Sequence, residues 1–295
     1  MRIINLIKKT CLSFGLAGLL LTLSCTKELN FNDYTEDKQY VLNSLFKAGN
    51  LLDVYVYKTQ SLNNSNTEFA VIKNLNVCLY EGNKKVDEAT LVEDSVYRFS
   101  YYPSSGVEYK INIIDTLNNV SMSASDLIPK PIAITKADYY SQYSFTDEYE
   151  LKYNKIYIEF TDEPKTDNYY EVLVVGNGAL IINHPAVSYN HNDDAGSKVL
   201  FSDELFKDKT LRVSIYAAYV STIPTIKLRN VSRVYYDYFK SLEAHLYNQN
   251  VLILDDRPID LLFKPLPTEL YSNVKNGLGA FATYAETSIR AIQQD

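Results

Sequence analysis

Leu75-Asn76-Val77-Cys78-Leu79-Tyr80-Glu81-Gly82-Asn83 is the stretch from which the fold follows. Leu75, Val77 and Leu79 alternate with Asn74, Asn76 and Cys78, the period of two that sets one side of a strand on a core and the other toward solvent. Glu81-Gly82-Asn83 closes the run with residues that tolerate tight or left-handed backbone. Outward from there the alternation repeats. Val54 and Val56 oppose Tyr55 and Tyr57, and Tyr109, Ile111 and Ile113 oppose Lys110 and Asn112, with Pro103-Ser104-Ser105-Gly106 as a further turn signal. Such runs recur near residues 40, 54, 77, 88, 97, 111 and 122, about seven strands in roughly ninety residues, the size of an immunoglobulin-like sandwich. The expectation is a β-sandwich over 39–128.

Leu127-Ile128-Pro129-Lys130-Pro131 follows. Two prolines one residue apart do not sit in a central strand, so this is a stiff linker or a strand changing partners, and a domain boundary is placed here. Beyond it the β pattern resumes in Ile156–Phe160, in Tyr170–Val175 before Gly176-Asn177-Gly178, and in Leu211–Val220, with a long polar loop from Asn183 to Ser197. Val231, Val234, Tyr235, Tyr238, Leu242 and Leu246 recur at spacings of three and four, which predicts one helix near 231–248 with a stripe that packs on a sheet. An irregular tail with Pro258, Pro265 and Pro267 leads to an apolar run from Ala280 to Ala285. The fold class expected is mainly β: an N-terminal immunoglobulin-like sandwich, then a second β-rich domain over 129–295 with one packed C-terminal helix.

The N-terminus has another character. Arg2, Lys8 and Lys9 precede an apolar run from Cys11 to Leu23, then Ser24-Cys25, the layout of a bacterial secretory signal. The run is about 13 residues against the roughly 20 needed to span a bilayer, which argues against a retained anchor. Thr22-Leu23-Ser24-Cys25 resembles a lipobox, with Thr22 where Leu is more usual. The expectation is a lipoprotein signal peptide over 1–24, with an ordinary signal peptide as the alternative, and Cys25 carrying palmitate-type acyl chains that attach the chain to a membrane. Residues 25–38 form the lipidated tether. Within it, Thr26-Lys27-Glu28 resembles the Lys-plus-acid export signal of Bacteroidetes lipoproteins bound for the outer leaflet of the outer membrane.

Composition narrows the function classes. Of 295 residues 46% are hydrophobic and 22% charged, with 26 Tyr, 12 Phe and no Trp, the balance of a folded protein with many rings suited to half-wet positions. Removing Arg2, Lys8 and Lys9 leaves 26 basic against 36 acidic residues, so the net charge falls from −7 to −10, which disfavours nucleic-acid binding. Cys11 departs with the signal and Cys25 takes lipid, so Cys78 has no intramolecular partner and no disulfide is expected.

Catalytic signals are weak. Only His184, His191 and His245 exist, and a hydrolase triad needs a histidine beside its nucleophile. His184 and His191, with Asp193 and Asp194 nearby, fit no fixed metal-ligand spacing. Gly277-Leu278-Gly279 and Gly176-Asn177-Gly178 lack the third glycine of a dinucleotide loop. Asp147-Glu148, Asp162-Glu163 and Asp255-Asp256 read as solvated edges or turns. No enzyme activity, metal or cofactor is expected. Ser95, in Asp94-Ser95-Val96, and Thr116, in Asp115-Thr116-Leu117, fit a pattern resembling bacterial O-glycosylation sites. The loop Asn183–Ser197 and the cluster Tyr139-Tyr140-Ser141-Gln142-Tyr143 are candidate contact surfaces outside clear strands.

Tyr271-Ser272-Asn273-Val274-Lys275-Asn276-Gly277-Leu278-Gly279-Ala280-Phe281 resembles the closing signature of a Bacteroidetes lipoprotein family, domain of unknown function four-two-four-nine. Val77–Asn83, Gly106-Val107-Glu108-Tyr109, Ala124–Pro129, Phe160-Thr161-Asp162, Asn168-Tyr169-Tyr170 and Val234-Tyr235-Tyr236-Asp237-Tyr238 resemble further elements of it. Glu163 between Asp162 and Pro164, and Cys78, depart from its pattern. The resemblance implies an outer-membrane lipoprotein facing the cell exterior, commonly encoded beside a TonB-dependent receptor, with no established chemistry. The function expected is therefore a non-catalytic accessory of such a transporter in ligand capture or uptake. A structural or assembly subunit of the outer membrane and a stand-alone adhesin or glycan-binding module are the alternatives.

Overall fold

Two strands from opposite ends of the chain lie side by side. β1 (Tyr40–Lys47) pairs in parallel with β17 (Leu278–Arg290), Val41 opposite Leu278 and Lys47 opposite Tyr284. A computed structural model describes residues 38–60, 72–144, 152–163, 166–176, 180–182, 188–190, 197–204, 209–218, 220, 222–249 and 268–294. Gln39–Thr59 and Glu68–Asp295 form one unit.

The intervening elements are β2 (Asp53–Lys58), β3 (Asn76–Glu81), β4 (Lys84–Glu88), β5 (Thr90–Glu93), β6 (Val96–Arg98), β7 (Glu108–Asp115), β8 (Val120–Leu127), β9 (Ile134–Ser144), β10 (Lys152–Thr161), β11 (Tyr169–Val175), β12 (Leu180–Ile182), β13 (Ser188–Asn190), β14 (Ser197–Ser202), β15 (Thr210–Ala218), β16 (Thr225–Val231) and the helix α1 (Arg233–Gln249), with β18 (Ile292–Gln294) last. The protein is mainly β with one helix near its C-terminus among the described residues. Three sheets form: nine strands in the order β13-β14-β11-β16-β17-β1-β2-β6-β5, five in the order β12-β15-β10-β9-β18, and four in the order β4-β3-β7-β8.

The nine-stranded sheet supports both smaller ones on the same face. Leu42, Val54, Val56 and Phe281 from it meet Val77, Leu79, Tyr109, Ile111, Ile113 and Met122 from the four-stranded sheet in one core. Further along, Tyr170, Val172, Val174, Ile226 and Leu228 meet Ile156, Ile158, Phe160, Leu211 and Ile215 from the five-stranded sheet in a second. Every one of these side chains is essentially buried, and burying a Val, Leu, Ile or Phe contributes about 1.5–3 kcal/mol. β7 and β8 alternate accordingly, with Tyr109, Ile111, Ile113, Met122 and Ala124 inward, but at their C-terminal ends Asp115 and Asp126 take inward positions and Ile114 and Leu127 face out. The two cores divide near residues 128–133, an irregular connection with both prolines, while β17 runs through both, contributing Phe281 to the first and packing Ile289 on the second.

On the opposite face α1 covers part of the large sheet. Tyr235 is buried against Val231, Leu200, Ala280 and Ala282, with Val234, Tyr238 and Phe239 packed around it. The helix begins two residues later than the apolar stripe suggested, because Val231 is the last residue of β16. Ser232 caps it, its Oγ accepting from the Tyr235 N–H at 3.1 Å.

One reading needs correction. Tyr139-Tyr140-Ser141-Gln142-Tyr143 does not lie outside strands but within β9. Tyr139 faces the core and Tyr140 packs against Tyr157, so rings of the same type on both faces concealed the alternation.

Candidate functional site

The closing segment of the chain is a structural clasp. Asn273 donates through Nδ2 to the carbonyls of Ser125 and Phe281 at 3.0 Å each and accepts the Phe281 N–H through Oδ1 at 3.0 Å. Lys275 bridges to Ser123, and Asn276 Nδ2 reaches the Ser121 carbonyl at 3.2 Å. Gly279 has a φ of +102°, and a Cβ there would stand 2.1 Å from the Leu42 carbonyl oxygen. Only glycine lets β17 approach β1 so closely. The Gly-x-Gly of the tail therefore serves strand packing.

A second cluster explains the Phe-x-Asp and Asn-Tyr-Tyr segments. Asp162, Asn168, Tyr170 and Asp203 are all buried. The Tyr170 hydroxyl donates to Asp162 Oδ1, the Asn168 amide N–H donates to Asp203 Oδ2 at 3.0 Å, and Asn168 Nδ2 faces Asp162 Oδ1 at 3.1 Å and the Glu163 carbonyl at 2.9 Å. Burial and the neighbouring Asp162 carboxylate push the Tyr170 hydroxyl well above its ordinary range. The cluster pins the segment entering β11 to the end of β14.

Under α1 a ladder of charges crosses five strands. Lys198 pairs with Glu171 Oε1 at 3.1 Å, Arg229 with Glu171 Oε2 at 2.8 Å and with Glu286 Oε2 at 2.8 Å, and Lys47 with Glu286 Oε1 at 3.0 Å. Glu171 lies opposite Arg229, and Arg229 opposite Glu286, in the strand register. The Tyr235 hydroxyl adds a bond to Glu171 at 2.9 Å. Hydrogen bonds from Arg229 and Lys47 outweigh the effect of burial on Glu286 and hold its carboxyl below the usual range.

Beside these clusters, where the two smaller sheets meet on the large one, a cleft of about 430 Å³ opens, within the range of small-molecule sites. The end of β8 supplies Asp126 and Lys130 follows it; Asn168 and Tyr169 come from the start of β11; Ser232 and Arg233 from the start of α1. Asp126 is the notable group. It is 8% exposed, and it accepts from Thr283 Oγ1 at 2.9 Å. Burial raises its carboxyl to about 6, against the hydrogen bonds from Ser232 and Thr283 that favour the charged form. The helix has no acid in its first turn, and Asp126 places a carboxylate beside that positive end. The cleft is lined by the Asp126 carboxylate, the Arg233 guanidinium and the Tyr169 ring, while the Asn168 side-chain amide is taken up by Asp162 and the Glu163 carbonyl.

The residues singled out in the sequence fall as follows. Cys25, His184, His191, Asp193 and Asp194 lie outside the described residues, as does most of the Asn183–Ser197 loop apart from β13. Ser95 sits in the β5–β6 turn with a φ of 64° and is 2% exposed, whereas Thr116 stands exposed in the β7–β8 turn. A sugar on Ser95 requires that turn to open; Thr116 needs no such change. Cys78 is buried, its thiol 2.8 Å from Asn76 Oδ1. His245 Nδ1 meets the Thr268 carbonyl at 2.9 Å, a structural contact. Among the described residues no group of three or more His, Cys, Asp or Glu is placed to hold a metal, and no helix is long and apolar enough to cross a membrane. Sequence reasoning missed Asp126, Arg229 and Glu171, whose partners are set only by pairing between distant strands.

The fold is that of a layered, mainly β protein with two small sheets on one large sheet and a helix behind. The chain belongs to the family described as Domain of unknown function (DUF4249), whose model matches residues 26–290. No curated protein matches it. Among solved structures, a point mutant of Salmonella alpha-2-macroglobulin is similar over 67% of this chain and 14% of that one, at 11% identity and a TM-score of 0.24. The same Salmonella protein reacted with methylamine is similar over 67% and 14%, at 12% identity and a TM-score of 0.22. The chain thus spans only 14% of the length of those structures, and likeness at this level carries no argument about function.

Proposed function

We propose that this protein is a non-catalytic, surface-exposed outer-membrane lipoprotein, held through acyl chains on Cys25 and accessory to a TonB-dependent transporter in ligand capture or uptake. The observation that supports the reading is the span of the family match, which takes in residues 26–290 and leaves out the basic and apolar leader with Cys25, the division that a lipoprotein precursor has. The cleft around Asp126 is the place in this fold for a captured ligand. The test is a mild-detergent pull-down of the tagged protein from its native membrane with mass spectrometry of partners. Recovery of one TonB-dependent receptor, lost in Cys25→Ala, is expected; a wild-type protein that comes back alone overturns the transporter reading.

A second reading, a glycan-binding module, is favoured by the outer face of the five-stranded sheet. Tyr140 and Tyr216 flank Lys155 in the strand register, and Tyr157 lies 4.5 Å from Lys155 Nζ and 4.4 Å from the Arg212 guanidinium. Rings and cations on a flat sheet suit stacking on sugars, and glycan binding by the mature protein that is lost in Tyr140→Ala would favour this alternative.

A further inference from the structure

The end of the first sandwich where β1 begins combines apolar and basic side chains. The Tyr40 hydroxyl donates to Asp115 Oδ2 at 2.5 Å, which draws the β7–β8 turn against the start of β1. In that turn Leu117 is 77% exposed, more than any other large hydrophobic residue described. Leu278, opposite Val41, is 41% exposed. Lys58 lies 4.5 Å from the centre of the Tyr40 ring, Lys275 is held at Ser123, and Lys73 precedes β3, whose first residue pairs with Ile114. The exposed acids nearby are Glu93 at the end of β5, Asp94 in the turn after it, and Glu88, which accepts from Asn76 Nδ2 at 3.3 Å and is paired with Lys85 at 2.6 Å. A chain of net charge −7 therefore places Lys58, Lys73 and Lys275 at the same end as Leu117, the most exposed leucine among the described residues. The described unit is entered here at Gln39, and the residues between it and Cys25 span at most about 50 Å when extended.

We propose that this end is a contact surface for an anionic lipid bilayer, with Leu117 entering at headgroup depth and Lys58, Lys73 and Lys275 facing the phosphates. The inference rests on the reading that the chain is anchored through Cys25. Anchoring makes the contact intramolecular, so that weak attraction suffices to orient the protein. Each lysine near an anionic surface changes affinity about five-fold, and salt screens that attraction within a distance of about 10 Å.

The test uses the mature chain from residue 25 carrying Cys25→Ala, so that no acyl chain contributes. It is floated with vesicles of phosphatidylglycerol and phosphatidylcholine, and with phosphatidylcholine alone. Preferential binding to the anionic vesicles is expected, weakened by salt, and reduced about five-fold or more by Leu117→Asp and by Lys275→Glu. Leu51→Asp, at the opposite end of β1, is expected to leave it unchanged. Equal binding by wild type and Leu117→Asp overturns the proposal, as does an equal loss in Leu51→Asp. Thermal unfolding of each variant checks that the fold is kept, which the exposure of Leu117 favours. The intact mass of the native protein tests Cys25 acylation separately, so failure of the anchoring reading is distinguishable from failure of the vesicle contact.

Discussion

Arg229 stands between two carboxylates, 2.8 Å from the fully buried Glu171 and 2.8 Å from the partly buried Glu286. Arg229→Met takes one partner from each acid but leaves Glu171 with Lys198 and Tyr235 and Glu286 with Lys47 and Lys227, so the loss should stay below the roughly 3–5 kcal/mol of a buried pair broken outright. Chemical denaturation should show that loss. Replacing Glu171, Arg229 and Glu286 together by apolar residues of similar volume should restore only part of it, since those three charges are gone while Lys198 and Lys47 lose these carboxylates.

Gly279→Ala should destabilise more than an ordinary surface change. The added Cβ meets the Leu42 carbonyl at 2.1 Å and φ is +102°, so either the pairing of β1 with β17 opens or the backbone leaves its left-handed region. The expected signature is faster hydrogen exchange of the β1 amides together with a lower Tm; an unchanged Tm would contradict the close approach.

Asp115 should stabilise the fold at neutral pH and cease to do so in acid. Burial works against its ionisation, but hydrogen bonds from Tyr40, Asn118 and Leu117 win and bring its carboxyl down to about 2. An acid whose folded value is depressed lends stability above its unfolded value of about 3.9 and loses it as pH falls toward 2. Tyr40→Phe should cost about 1–2 kcal/mol at pH 7 and less at pH 2, measured by urea unfolding at both.

Asp126 should act with the opposite sign. Its folded value of about 6 lies above the unfolded value of about 3.9, so the ionised form is penalised in the fold above pH 6 and the penalty is relieved as pH falls from 6 toward 4. The Tm of the wild type should therefore carry a component that rises over that interval, and Asp126→Asn should remove it. Carboxyl carbon shifts followed by NMR would give the midpoint directly.

Much of the architecture was legible in the sequence because it is written in local periodicity. Val54 and Val56, Val77 and Leu79, and Tyr109, Ile111 and Ile113 alternate with polar residues and point inward as expected, and the helix stripe through Tyr235 packs on the sheet. Contacts between distant segments were not legible. Nothing local to Ala280–Ala285 announces that Ala280 lies opposite Asn43, since parallel pairing requires no turn between the partners. The charge ladder and the cleft arise from the same pairings: Glu171, Arg229 and Glu286 look like ordinary half-polar strand residues until three strands are placed in register. Asp126 likewise looks like one acid in an alternating strand until Thr283 and Ser232 arrive from the far end of the chain.

The parallel pairing of β1 with β17 also has a mechanical consequence. Tension applied through the N-terminus pulls along β1, parallel to its neighbours, so the seven residue pairs with β17 and the four with β2 are loaded in shear and must yield together instead of unzipping one by one. With Tyr40 fastened to Asp115 at the point where the load enters, a chain tugged at this end resists extension before any of its core is exposed.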